Sequence, residues 1–419
     1  MNFPYFPASQ NQPDSPNNDC SFETLIGLAT AGGIQPLRFC GKTLLPIVQG
    51  GMGVGVSAGR LAGTVASHGA LGTISSVDLR RLHVDLMIRT EQAAHTPNGR
   101  QLLDETNLEA LEREIVLARQ IAEGRGLIAV NIMKALSAYE LYVRKSLECE
   151  VDALVVGAGL PLDLPELARD FPRTALIPIL SDARGVQLIV RKWEKKGRLP
   201  DAIVIEHPRL AGGHLGAAKV ADLSDSRFEF SEVIPAVLQF FKEHGIEKEI
   251  PLIAAGGISS QQDIQALQAL GVSAVQLGTA FAVTQESDAA PAFKQVLAHA
   301  KPEDIVEFVS VAGLPARAVR TPWLDKYLRI EDKLKSAAHI KKKGCNLALD
   351  CLAHCGLRDG QATMGQFCID RQLGHALSGE TDKGLFFRGA GKLPFGDQIR
   401  PVADLLKCLL GGSPSAVTT

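Results

Sequence analysis

Eight short apolar runs punctuate the chain up to residue 277, and most are followed by a stretch with helical spacing. The runs are Leu44–Gln49, Ala70–Ile74, Leu127–Ile132, Ala153–Gly157, Ala175–Leu180, Ala202–Ile205, Pro251–Ala255 and Ala274–Leu277. They are nearly continuous in Val, Ile, Leu and Ala rather than alternating with polar residues, as expected of strands buried on both faces of a parallel sheet. Helical patterns separate them at Arg60–His68, Asn107–Glu123, Tyr139–Cys149, Leu164–Asp170, Val186–Lys196, Ser231–His244 and Gln261–Leu270. Asn107–Glu123, for example, is apolar at 108, 111, 115, 118 and 121, an i, i+3, i+4 stripe. Eight βα units over about 250 residues predict an α/β fold of the TIM (β/α)8 barrel type. An open doubly wound sheet with fewer strands is the alternative.

Around this barrel the chain divides into three parts. Residues 1–20, rich in Pro, Asn, Ser and Gln, read as a flexible tail. Residues 21–300 hold the barrel, closed by a helix at 289–300. Residues 301–419 form a C-terminal, mainly helical accessory region, with a charged helix around Leu328–Lys343, a Cys-rich turn at 345–368 and a short helix at Gln398–Leu409. It is expected to lie over the barrel mouth or against another subunit, and a homodimer is compatible with it. With 46% hydrophobic residues the chain is globular, and its 40 glycines with only 5% aromatics suit α/β architecture better than a β-sandwich. A net charge of -2 supplies no basic field for nucleic acid, and Lys341-Lys342-Lys343 reads as a solvated helix end. No secretory signal pattern and no apolar run of membrane-spanning length is visible. Eight cysteines suit a cytoplasmic protein with reduced thiols.

Three features carry chemistry. The first is Ala202–Gly216, AIVIEHPRLAGGHLG, in which a buried strand runs into a glycine-rich loop ending in His214. In a barrel this is the C-terminal mouth of a strand, where the fold keeps its reactive groups. The intrinsic pKa of a histidine suits a general base. His207 on the same loop is the rival, but the glycines beside His214, Gly213 among them, leave room for a substrate. The second is a pair of loops, Gly256-Gly257 after the seventh run and Gln276-Leu277-Gly278-Thr279 at the eighth. Their backbone N–H groups and the Thr279 hydroxyl form the kind of cradle that binds a phosphate. The third is Gln49-Gly50-Gly51-Met52 after the first run together with Asn131 at the end of the third. There the glycines allow close approach of a planar heterocycle, and Asn131, Gln49 or Gln276 can hydrogen-bond its edge. Phosphate at one end and a heterocycle at the other suggest flavin mononucleotide (FMN) across the barrel mouth. The absence of GxGxxG after the first run disfavours a Rossmann dinucleotide site. Cys345, Cys351, Cys355 and Cys368 follow a C-x5-C-x3-C-x12-C spacing that lacks zinc-ribbon knuckles and ferredoxin spacing. They read as buried free thiols, with His354 a spare ligand under the metal alternative, and we assign no metal.

With these motifs in view, the chain from about Leu44 to about Arg320 resembles the nitronate monooxygenase family, formerly called 2-nitropropane dioxygenases and related to FMN-dependent enoyl-ACP reductases. PIVQGGMGVGVSAGRLAGTVASHGALGTIS is similar to the family's first βαβ unit, and AGGHLG matches its A-G-G-H-x-G loop. AAGGIS and QLGTAF match its phosphate loops. The resemblance implies a catalytic-base role for His214, flavin contact for Asn131, and flavin binding for Gly257, Gln276, Gly278 and Thr279. The chain departs from the pattern in three places. Leu210 stands where many members have Glu, Gly50-Gly51-Met52 replaces A-P-M, and the segment from Gly344 to Gly389 is longer than in compact members.

The expected activity is FMN-dependent oxidation of alkyl nitronates or nitroalkanes by O2, with a small-molecule substrate and no nucleic-acid or membrane partner. The alternatives are an NAD(P)H-dependent enoyl reductase, which alone would call for an acyl-carrier partner, and a non-catalytic FMN-barrel subunit.

Overall fold

The computed structural model describes residues 20–246, 249–339, 345 and 350–414. Residues 1–19 of the expected N-terminal tail and the Lys341–Lys343 run lie outside the described residues, while Cys20, the last residue of that expected tail, is buried. Thirteen strands are described: β1 Leu37–Phe39, β2 Lys42–Leu44, β3 Ile47–Gln49, β4 Leu71–Ser75, β5 Leu127–Met133, β6 Ala153–Gly157, β7 Ala175–Leu180, β8 Ile203–Glu206, β9 Gly213–His214, β10 Leu252–Ala255, β11 Ala274–Leu277, β12 Ile305–Val309 and β13 Pro315–Val319. Eight of them close into a parallel barrel in the order β10-β11-β3-β4-β5-β6-β7-β8. This is the TIM architecture, and each barrel strand falls within one residue of an apolar run in the sequence, apart from the late start of β3.

The continuous apolar character of the runs has a direct cause in the packing. Leu127, Ala129, Val155, Ile177, Val204 and Ile253 meet inside the barrel with Leu37, Phe39 and Leu44 of the β1–β2 hairpin. Their chain neighbours Ile128, Val130, Leu154, Val156, Leu176, Ile203 and Ile205 face the surrounding helices. Alternate side chains of each strand therefore enter two separate cores, and neither face meets water. The hairpin precedes β3, so it stoppers the N-terminal end and leaves the C-terminal end open for a site.

The helices follow the expected pattern with shifted ends. The largest shift is the helix Gly99–Ala122, which starts eight residues before the expected Asn107. Its first turns are polar and are supported by Arg100–Asp104 and Gln101–Glu105 pairs one helical turn apart, which apolar periodicity does not register.

The region after residue 300 begins not with a helix but with the antiparallel hairpin β12–β13. β9 adds to its edge, with Ala316 opposite His214 and Arg317 opposite Gly213. Helices Pro322–Ser336, Ile369–Leu377 and Val402–Leu409 follow. Val402–Leu409 returns to pack beside Phe22–Ala31 and Gln261–Ala269. Among the described residues, no helix is long and apolar enough to cross a membrane.

Candidate active site

A cavity of about 530 Å3 opens at the C-terminal ends of the barrel strands. One side is built by Gly50, Gly51 and Met52 after β3 and by Asn131 on β5. A Cβ on Gly51 would lie 2.3 Å from the Asn131 Cβ, and one on Gly50 would lie 3.2 Å from the Gln276 Cγ. These glycines are therefore what allow the Asn131 and Gln276 amides to sit directly under the loop. Asn131 donates through Nδ2 to the Val155 carbonyl at 3.2 Å, which fixes the side chain across the strand ends.

Gln49 does not reach the cavity. It is fully buried, its Oε1 accepts from Thr73 N at 2.9 Å, and its Nε2 donates to the Thr73 carbonyl at 3.0 Å. The side chain thus stitches β3 to β4, because the strand's pleat turns position 49 away from the mouth that position 50 lines.

The opposite side holds Gly256 and Gly257 after β10 with Gln276, Leu277, Gly278 and Thr279 around the end of β11. Gly256 and Gly257 have φ of 113° and 75°, a conformation that glycine adopts without strain. The C-terminal region completes this side. Gly389 N donates to Thr279 Oγ1 at 3.0 Å, and Ala390 N to the Leu210 carbonyl at 3.1 Å. Arg388 and Lys392 bring positive charge to the same wall. Arg388 is buried, and its guanidinium bonds only to the carbonyls of Leu297, Gly389 and Gly391. A buried cation with no carboxylate partner among the described residues, beside glycine loops with free N–H groups, is the donor set that an anion such as a phosphate requires.

His214 lies at the end of its glycine loop on β9 and lines the cavity. Its Nε2 is 3.0 Å from Ser310 Oγ, and its ring lies 5.6 Å from that of Phe387. Removal from bulk water pulls its pKa down to about 4, so the ring is neutral at physiological pH. Nδ1 makes no hydrogen bond to any described residue, which leaves it to face a ligand. The rival His207 is 1% exposed and does not line the cavity. Its Nδ1 accepts from Arg209 N at 3.3 Å, so Nε2 carries the proton that goes to Glu229 at 3.3 Å.

Several residues that sequence reasoning missed hold this arrangement. Arg317, 1% exposed, donates to the carbonyls of Pro208 and Ala211 and to Glu307 Oε1 at 2.5 Å. It clamps the loop that carries His214 against β13. Arg81 joins Asp78, in the loop after β4, to Asp370 of the accessory helix Ile369–Leu377 at 2.5 Å. Burial works against charge on both acids. Arg81 and Arg80 outweigh it at Asp78, which titrates below the usual range, whereas Asp370 is driven up to about 7. Only the folded chain brings these residues together, because Arg317 meets Pro208 and Ala211, and Arg81 meets Asp370, across more than a hundred positions, and no local motif marks them. Among the described residues no cluster of three or more His, Cys, Asp or Glu is placed to hold a metal.

Comparison with known proteins now bears on this geometry. The family model for nitronate monooxygenase matches residues 38–412. The chain belongs to the nitronate monooxygenase family. This family member is 25% identical over 295 residues to a probable nitronate monooxygenase of Bacillus subtilis, covering 68% of this chain and 79% of that protein. It is 24% identical over 330 residues to a probable nitronate monooxygenase of Staphylococcus aureus, covering 74% and 86%. Among solved structures it is similar to FabK from Thermotoga maritima, with a TM-score of 0.58 and 23% identity over 87% of this chain and 91% of that one. It is also similar to the nitroalkane oxidase from Streptomyces ansochromogenes, with a TM-score of 0.56 and 20% identity over 87% and 94%. These two structures support the barrel fold. As a member of the nitronate monooxygenase family, the chain is a flavin-dependent oxidoreductase acting on a small molecule with O2.

Proposed function

We propose that this nitronate monooxygenase family member oxidises alkyl nitronates and nitroalkanes with O2, giving a carbonyl compound and nitrite, with FMN across the barrel mouth. The observation that carries the reading is a neutral His214 facing a cavity whose far wall is a glycine cradle with an unpaired buried arginine. The bound flavin supplies the redox chemistry. Gly256, Gly257, Gly278, Thr279 and Arg388 hold its phosphate, and Gly50, Gly51, Asn131 and Gln276 allow its ring close approach and bond its edge.

His214 removes the α-proton of a neutral nitroalkane at Nδ1. That role uses the tautomer in which Nε2–H donates to Ser310 Oγ, and Ser310 continues to accept that proton once the ring is charged. For a nitronate, which has already lost the proton, His214 orients the anion in the other tautomer, with Nδ1–H donating to it and Nε2 accepting from the Ser310 hydroxyl. Arg317 keeps the loop in place during both. The apolar wall from the accessory region, including Leu352, Leu373 and Phe387, excludes water from the reacting end.

The test is anaerobic addition of an alkyl nitronate to the purified, flavin-loaded protein, followed by air. Bleaching of the flavin absorption by nitronate and its return with O2, with little response to NADPH, is expected. Rapid bleaching by NADPH with none by nitronate would assign the chain to the enoyl-reductase reading.

A further inference from the structure

Two polar side chains in the cavity have no part in the scheme above. Glu206 ends β8, in register with Ala255 of β10, and Ser181 follows directly on β7. Both line the cavity, and neither makes a hydrogen bond or ion pair with a described residue. Neither is sealed off among the closed-in unpartnered polar atoms either, so both open onto the cavity space. A Cβ placed on Gly216 would lie 1.8 Å from Ser181 Oγ and 3.9 Å from Glu206 Oε2. The bare Gly216, two residues beyond His214, is thus what keeps this polar corner open.

The charged groups around the corner are otherwise engaged. Arg317 on β13 is bound to the Pro208 and Ala211 carbonyls and to Glu307. Asp182 after β7 accepts from Gly185 N at 2.8 Å, and Asp370 is paired with Arg81. His214 is uncharged, while Arg388 and Lys392 stand at the phosphate loops. Burial, opposed only by Arg317, raises the Glu206 pKa to about 7. An enclosed carboxyl without a partner is stable as the acid, and an acid has an O–H to give.

We infer that Glu206 and Ser181 form the subsite for the substrate's polar head, with the Glu206 carboxylic acid donating its O–H to a substrate oxygen beside His214. The inference rests on the proposed reading in taking that head to be a nitro or nitronate group. It predicts that the head is a single oxyanion or its neutral form on an apolar chain, because once Glu206 ionises the corner repels an anion.

Three measurements test it, on the flavin-loaded protein and its Glu206→Gln and Glu206→Leu variants. The first is calorimetric titration with nitrate, a planar oxyanion of similar shape. Affinity falls about tenfold per pH unit above about pH 7 in the wild type and stays level in Glu206→Gln, whose amide still donates. In Glu206→Leu it drops by about 100-fold at pH 6, with flavin content unchanged. The second needs no ligand. Glu206 holds its proton more tightly folded than unfolded, so its contribution to stability is fully present below pH 4.5 and is lost as pH rises to about 7. The Tm of Glu206→Gln therefore gains on that of the wild type across this window, and taking the difference removes the parallel titration of Asp370. The third is kcat/KM for propyl-1-nitronate, which follows the nitrate profile. A wild-type pH dependence that survives in Glu206→Gln, nitrate affinity unchanged in Glu206→Leu, or a Tm difference flat with pH overturns the inference. Absent nitronate turnover with the first two results as expected would instead count against the proposed reaction alone.

Discussion

A histidine removes a proton only while its ring is neutral, and desolvation keeps His214 neutral down to about pH 4. With nitroalkane as substrate, the acid limb of kcat/KM should therefore lie well below 6.5, the ordinary histidine value. His214→Ala should lower nitroalkane turnover by about 10²–10⁴-fold and spare preformed nitronate by comparison, with flavin still bound. Equal losses on both substrates would contradict the base role. The linkage runs the same way for stability. The folded pKa lies below the unfolded one, so the contribution of His214 is present above about 6.5 and is lost as pH falls toward about 4. Gly51 makes an independent prediction, since an added methyl would overlap the Asn131 side chain. Gly51→Ala should purify with most of its flavin missing, read as the ratio of visible to ultraviolet absorbance, while a full complement would show that Asn131 does not define the ring's seat.

At the scale of elements, the loop that carries His214 is held from outside the barrel. Arg317→Leu removes two carbonyl contacts and the ion pair with Glu307. The pair itself is half-exposed at Glu307 and adds little. The lost charge-assisted bonds to buried carbonyls set the cost, about 2–3 kcal/mol by urea unfolding. Activity should fall further than stability alone explains, since β9 loses its alignment with β13. Arg81→Met should cost more, about 3–5 kcal/mol, because it leaves Asp370 buried without its cation and beside Asp78, which keeps only Arg80, and it should loosen the accessory helix over the cavity. The elements themselves were largely legible in the sequence. Strands buried on both faces leave near-continuous apolar runs, so each barrel strand announces itself. β13 and β9 leave no such trace. β13 reads Pro-Ala-Arg-Ala-Val and is held along its length by β12 across a short turn, and β9, two residues long, exists because it pairs with β13 across a hundred positions.

For the whole molecule, the division at residue 300 suggested by the sequence does not separate the site from the accessory region. Phe387, Arg388 and Gly389 lie beyond it and line the cavity, and Ser310 and Arg317, also beyond it, hold His214 and its loop. Glycine motifs located the cavity walls because close approach or a left-handed backbone demands glycine locally, as at Gly50, Gly51, Gly256 and Gly257. Gln49 sat in the same motif yet faces β4, since a motif gives neighbours in sequence and the pleat decides which of them reach the mouth. Glu206 and Ser181 escaped notice because their significance is the lack of a partner among the described residues, and Arg388 because it lacks a carboxylate there, which only the folded chain reveals. The central claim is that the barrel mouth holds FMN which nitronate reduces. The most direct test is the visible spectrum of the purified protein, with the released cofactor identified by mass and an alkyl nitronate then added without oxygen. Flavin bands near one FMN per chain that bleach with nitronate are the predicted result. A colourless protein that takes up no FMN, or bound flavin indifferent to nitronate, would contradict it.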